Sequence, residues 1–304
     1  MKVTCDKIRR SRPLLGTFVE ITIASWVSAD MEIAVDAAFD TIAQIHQLMS
    51  FHDPQSDVAR LNRAASVEAI NVHPWTLQVL EAALELNRRS AGLFDIAVAP
   101  ALQNMGLLPR CQSDPPSIPL EGSASEFIEL LAGERVCFHH PSVRVDLGGI
   151  AKGFAVDRAI EVLRAHDIPA GLINAGGDIA AYGPSSHEIY IRDPRLPGRI
   201  LNRVKLKNQA LASSGGYFDP FQSLDLMGST IIDPRTRGRA TAVQGATVCA
   251  KSCMIADALT KVVMIAEEAS VGLLKHYGAN ALIVSEDGSV RVTADWQDAI
   301  QCAA

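Results

Sequence analysis

Three short apolar runs in this chain lead into glycine. Val143–Leu147 precedes Gly148-Gly149, Ala170–Ile173 leads to Gly176-Gly177, and Ala210–Ala212 leads into Ser213-Ser214-Gly215-Gly216. Runs this short, bounded by glycine, read as strands whose ends turn tightly or let a ligand approach the backbone. Phe18–Ile23 alternates as a half-buried strand, and Ala281–Ser285 and Ser289–Val292 flank Glu286-Asp287-Gly288 as a hairpin. Helical patterns stand between them. Val35, Phe39, Ile42, Ile45 and Met49 recur at helical spacing behind Asp30, a candidate cap, with His46 beside the stripe as a partly buried structural residue. Thr76–Arg89 carries Leu77, Leu80 and Leu84, with Gly92 beyond as a stop. Lys152–Arg164 turns Val156, Ile160 and Leu163 inward, and a last long helix spans Ser252–Ala269. Pro109–Gly122 reads as a loop. Strands and helices mix without strict alternation, so the expected class is α+β, not a doubly wound parallel sheet.

With 48% hydrophobic residues in 304, intrinsic disorder is excluded, because there is ample apolar side chain to offset ordering entropy. The formal charge of -6 argues against a general electrostatic grip on nucleic acid or anionic lipid. An anionic ligand must be held by local groups. The basic N-terminal stretch has no apolar run behind it, and no membrane-spanning stretch follows, so the expected location is cytoplasmic. The 6 cysteines form no C-x-x-C pair and are expected to be buried free thiols.

Four segments carry possible chemistry. In residues 145–157, Val-Asp-Leu-Gly-Gly-Ile-Ala-Lys-Gly-Phe-Ala-Val-Asp, a helix begins near Lys152, and free amides at a helix start attract phosphate. It is not a Walker A loop, because Lys152 precedes Gly153; taken alone, the segment reads first as an ordinary strand-to-helix turn. Asp95, in the apolar run Gly92–Pro100, either grips ligand polar groups or caps the following turn. Asp257 interrupts small and apolar residues on the last helix. It either holds a metal or cationic partner or pairs with Lys261, four residues on. Asp233-Pro234, closing the run from Thr230, is accounted for by a turn.

Taken in order, these segments resemble the ApbE family of FAD:protein FMN transferases. Leu15-Gly16-Thr17 is similar to the family's opening motif, and Met49 to Asn62 to its next block. Phe94-Asp95, Asp146–Gly153, Gly176-Gly177-Asp178, Ser214-Gly215, Ile232-Asp233-Pro234 and Ala256–Leu259 follow in family order. The resemblance covers about residues 13–283. It implies one α+β domain over 1–304 that binds FAD and Mg²⁺ and transfers FMN to a Thr or Ser hydroxyl of an acceptor flavoprotein, releasing AMP. It places FAD contacts at Leu15, His52, Leu93, Phe94, Asp95, Gly148, Lys152, Ser214 and Ile231, with Phe94-Asp95 and His52 lining the flavin or adenine pocket and the 148–153 turn meeting the pyrophosphate. The metal ligands it implies are the main-chain carbonyl of Ala151 and the carboxylate of Asp257, the latter acting in catalysis through the metal. The alternatives are an FAD pyrophosphatase and a non-catalytic FAD-binding or flavin-delivery protein. Four positions depart from the family pattern: His52 for its Tyr, Gly216 for its Asp, Thr230 for its His, and Lys261 at a third ligand position.

Overall fold

The computed structural model describes residues 6–25, 30–110, 122–196, 198–215 and 230–302. Its frame is an eight-stranded antiparallel sheet in the order β1-β2-β6-β7-β10-β11-β12-β13. These strands are Asp6–Leu14, Thr17–Ser25, Ala170–Ala175, Asp178–Tyr182, Gln209–Gly215, Gly245–Ala250, Asn280–Val284 and Val290–Val292. Two three-stranded sheets join it. One is β14-β9-β8 (Ile300–Cys302, Ile200–Leu206, His187–Arg192), the other β3-β5-β4 (Ile70–Asn71, Arg135–Phe138, Ile128–Leu131).

Side-chain alternation sorts the residues of the large sheet onto its two faces. Ala246, Val248, Ala281 and Ile283 face the main core, which they share with the helices α1 (Met31–Met49), α5 (Ala151–Ala165) and α6 (Cys253–Ile265); α2 (Asp57–Ala64), α3 (Pro74–Arg89) and α4 (Ala99–Asn104) lie between α1 and α5 in the chain. Their neighbours Ile179, Leu211, Cys249, Leu282 and Val284 face Ile189, Ile191, Val204 and Leu206 of the β8-β9 ribbon. Central strands β7 and β11 are buried along their whole length, which is why their sequences lack polar alternation. Next to the edge strand β1, β2 keeps the expected half-buried pattern, with Ile21 inward and Phe18 68% exposed.

Several expectations need correction. Val143–Leu147 forms no strand and joins no sheet. Its polar groups are met by the Asn62 side chain, which exchanges two hydrogen bonds with Val145 (2.9 and 2.7 Å), and by the Ile96 carbonyl, which accepts from Asp146 N at 2.8 Å. The strand from Ala210 does not stop at its serines but runs through Gly215, held by β11. The helix expected over Ser252–Ala269 breaks at Ala266 (φ -152, ψ 83), and α7 (Glu267–His276) follows. Asp30 stands at the N-cap of α1 but makes no side-chain capping bond. Most of the loop expected over Pro109–Gly122 lies outside the described residues. Among the described cysteines, Cys249 and Cys253 are buried free thiols, but Cys137 is half-exposed. Among the described residues no helix is long and apolar enough to cross a membrane.

Candidate functional site

The site is organised where α5 crosses α6. A Cβ on Gly153 would stand 2.3 Å from the Cys253 carbonyl oxygen and 2.7 Å from Met254 Cα, so glycine alone permits this approach. One turn further along α5, Asp157 caps α6 from outside that helix. It accepts from Ser252 Oγ at 2.7 Å, Cys253 N at 2.8 Å and Met254 N at 3.0 Å. The crossing brings the first turn of α5 against Asp257, and Gly153 N donates to Asp257 Oδ2 at 3.2 Å.

Asp257 is fully buried among charges. Lys261 Nζ donates to its Oδ1, and to its carbonyl oxygen at 3.0 Å. Lys152 Nζ lies 2.6 Å from Asp178 Oδ2 and 3.8 Å from Asp257 Oδ2. Thr260 Oγ1 donates to the Asp257 carbonyl at 2.6 Å and meets Ser214 Oγ at 2.7 Å. Two carboxylates thus face two ammonium groups. Burial opposes charge on Asp257, but Lys152, Lys261 and the Gly153 amide outweigh it and hold its pKa below the ordinary carboxylate value. Burial also works against the Lys152 ammonium, and Asp178 and Asp257 more than reverse it, so its pKa is raised. Asp178 is raised, by burial first and then by repulsion from Asp257.

In front of this cluster opens a cleft of about 280 Å³. Leu93, Phe94, Ile231 and Leu107 give it apolar walls, and Asp95, Asp146, Gly148, Gly149 and Lys261 supply its polar groups. A smaller cavity of about 90 Å³ shares Asp95, Val98, Ile232 and Pro234 with it. Asp95 is held in the shared wall: its carboxylate accepts from Ala97 N at 2.7 Å, from Ser123 Oγ at 2.8 Å and from Ser125 Oγ. Asp95 therefore closes a turn and faces both cavities. Asp146 Oδ2 accepts from Gly148 N at 3.2 Å, and burial raises the Asp146 pKa.

Of the residues named from the sequence, Leu93, Phe94, Asp95, Gly148 and Ile231 line the cleft. Asp257, Ala151, Lys152 and Ser214 belong to the layer behind it. His52 lies on the Asp146 side, near enough to favour that carboxylate's charged form. Leu15 sits in the tight β1-β2 turn, where Leu15 and Gly16 take φ of 55° and 70°. That turn touches the Gly176-Gly177 turn, since a Cβ on Gly176 would meet Thr17 Oγ1 at 2.6 Å. Gly176-Gly177 forms the turn that starts β7 at Asp178. The amides expected to greet phosphate are largely engaged. Gly148 N bonds Asp146, Ile150 N and Ala151 N bond the Leu147 carbonyl, and Gly153 N bonds Asp257. Asp233 is a turn residue, held by Arg235 through two guanidinium contacts of 3.0 and 2.8 Å. The sequence reading did not single out Asp178 as a member of the charge cluster or Asp157 as the cap of α6. The available signal was an Asp directly after Gly176-Gly177 and a second Asp four residues beyond Gly153.

The donor set does not fit Mg²⁺ as it is arranged. Mg²⁺ takes a near-ideal octahedron of oxygens at roughly 2.0–2.1 Å. Here Asp257 Oδ1 holds the Lys261 ammonium and Oδ2 holds an amide, with Lys152 alongside. A divalent ion on Asp257 and the Ala151 carbonyl requires Lys261 to leave, and two ammonium groups repel it.

An antiparallel sheet backed by helices, with a cleft ending on a buried charge cluster, defines an α+β protein of mixed sheets and helices. The chain belongs to the ApbE family, whose model matches residues 15–283. It is 28% identical over 275 residues to a Vibrio cholerae protein named FAD:protein FMN transferase, covering 86% of this chain and 82% of that one. A Treponema pallidum protein of the same name is 27% identical, over 96% of this chain and 88% of its own length. The crystal structure of an ApbE protein from Thermotoga maritima superposes with a TM-score of 0.85 at 25% identity, covering 97% of this chain and 99% of that one.

Proposed function

We propose that this chain is an FAD:protein FMN transferase that moves FMN from FAD to a Thr or Ser hydroxyl of a target flavoprotein and releases AMP. The observation that carries this reading beyond kinship is the junction of cleft and charge cluster. Apolar walls at Leu93, Phe94 and Ile231 suit a planar ring system, and the Lys261 ammonium lies at their inner end. In the transfer the acceptor oxygen bonds the phosphorus of the FMN half. The bond to the bridging oxygen breaks, AMP leaves with that oxygen, and the hydroxyl proton is given up to solvent. Negative charge grows on the departing phosphate, which fixed cationic groups oppose. Lys261 is the ammonium that faces the cleft, and Lys152 supports the charge balance behind it. Phe94 and Asp95 orient the ligand from the wall.

The test is incubation with FAD and an acceptor bearing an Asp-Gly-x-Ser/Thr-Gly-Ala-Ser/Thr segment, with AMP release and flavin fluorescence on the denatured acceptor read together. Both signals are expected. AMP without labelled acceptor assigns an FAD pyrophosphatase instead. Neither signal, with tight FAD binding, assigns a flavin carrier.

A further inference from the structure

Away from the cleft, strands β4 and β5 bring a thiol, an imidazole and a carboxylate to one face. Glu129 pairs directly with Cys137 across the antiparallel ladder. His139 lies two residues beyond Cys137, and its amide donates to the Phe127 carbonyl at 2.8 Å, carrying the ladder one step further. Residues two apart share a face, so all three side chains stand together. The opposite face is committed to the core through Ile128, Val136 and Phe138. Cys137 Sγ is 3.6 Å from Glu129 Oε2 and 3.9 Å from His139 Nε2, and His139 Nε2 is 2.7 Å from Glu129 Oε2. Among the described residues this is the one such group of three with its ligand atoms all within 4.8 Å of one another.

We propose that Glu129, Cys137 and His139 form a binding site for a borderline transition-metal ion of the Zn²⁺ class. The donor set selects the metal: thiolate and imidazole favour Zn²⁺ over the oxygen-seeking Mg²⁺ and Ca²⁺. The dimensions agree. Zn²⁺ bond lengths of roughly 2.0–2.3 Å in tetrahedral geometry place ligand atoms roughly 3.3–3.6 Å apart. The two sulfur edges are near those lengths already. The His139–Glu129 edge is a hydrogen bond that opens by about half an ångström when the ion takes the place of the shared proton. Binding releases to solvent both the Cys137 thiol proton and the proton shared by His139 Nε2 and Glu129, the ring keeping or taking up a single proton at Nδ1, and water completes the fourth position. Hydrogen-bonded pairing fixes the backbone beneath all three ligands, so little ordering is required. The ion cross-links the end of β4 to β5. Four residues before Glu129, Ser125 holds Asp95 in the cleft wall, so the staple also steadies that wall.

The test uses the untagged full chain and Co²⁺ as a spectroscopic probe, followed by Zn²⁺ competition. One equivalent of Co²⁺ is expected to give a thiolate charge-transfer band and the visible bands of a tetrahedral site, both removed by Zn²⁺. Cys137→Ser removes the charge-transfer band. Cys137→Ser, His139→Gln and Glu129→Gln each weaken Zn²⁺ binding by about 100-fold or more, beyond the roughly 10–100-fold cost of losing an outer-shell partner. These side chains face solvent, so each variant should keep the wild-type circular dichroism, which is checked alongside. Absence of a thiolate band, or equal Zn²⁺ affinity in wild type and Cys137→Ser, overturns the proposal. FMN transfer is a separate assay, so its failure leaves this result interpretable.

Discussion

Lys261 decides more at the site than any other single side chain. Its ammonium sits on Asp257 with only 17% of the side chain exposed, and its stem packs over Gly149. A lysine in this position supplies one positive charge without a metal's ligand requirements. FAD binding by the wild type, followed by flavin fluorescence, should therefore be unchanged by EDTA. Lys261→Thr removes a charge-assisted contact worth about 1.5–3 kcal/mol, so FAD affinity should fall about 10-fold or more without metal. Mg²⁺ should then restore it, because Asp257 Oδ1 is released. Loss of wild-type binding in EDTA would sink this account. Asp146 gives the pH prediction. Burial raises its pKa above the ordinary 3.8, so it holds its proton into less acidic solution than a free carboxyl. As pH rises through that elevated value a negative charge appears in the cleft, and affinity for the anionic pyrophosphate should decrease. Asp146→Asn should flatten this pH dependence, and an unaltered profile in the variant would assign it elsewhere.

Among the elements, the α5–α6 crossing is the one most sensitive to a single atom. The Cβ of Gly153→Ala meets backbone, not a movable side chain, so the helices must separate. Overpacking of this kind costs about 1–3 kcal/mol. The shift also pulls the Gly153 amide from Asp257, so the variant should lose both thermal stability and FAD affinity. Wild-type melting for Gly153→Ala would show that the crossing is looser than described. The cap supplied by Asp157 is separable from the site, because it faces Ser252 and not the cleft. The break at Ala266 shows the limit of local signals at this scale. The sequence there has neither Gly nor Pro, and periodicity continues across it. Val263, Met264 and Leu273 belong to the same core, and packing redirects the chain between them.

Over the whole molecule, the large sheet is shared by two cores, the helical layer on one face and the β8-β9 ribbon on the other. Strands β7 and β11 contribute side chains to both, so neither core can be lost alone. Denaturant unfolding should be a single transition. Trp75 packs against the main core and Trp296 lies in the second, so single-tryptophan variants retaining one or the other report on each. Coincident midpoints are expected; separated midpoints would divide the chain into two units. At this scale the division between sequence and tertiary structure is sharp. Periodicity in Phe18–Ile23, in Val35–Met49 and in Lys152–Arg164 determined elements and their buried faces, because each depends on residues a turn or a pleat away. The ordered motifs determined the family, and Phe94-Asp95, Gly148 and Ile231 were legible as cleft residues through them. Whether Val143–Leu147 pairs as a strand, and what Gly177 positions, was left to distant partners. So was the charge cluster. The Asp257–Lys261 pair was readable at helical spacing. Its meeting with Lys152, Asp178 and Gly153 was not, since Gly153 and Asp257 are 104 residues apart and only the crossing of α5 and α6 brings them together. Burial then sets the strength of that cluster, because charges removed from water interact strongly and must balance one another.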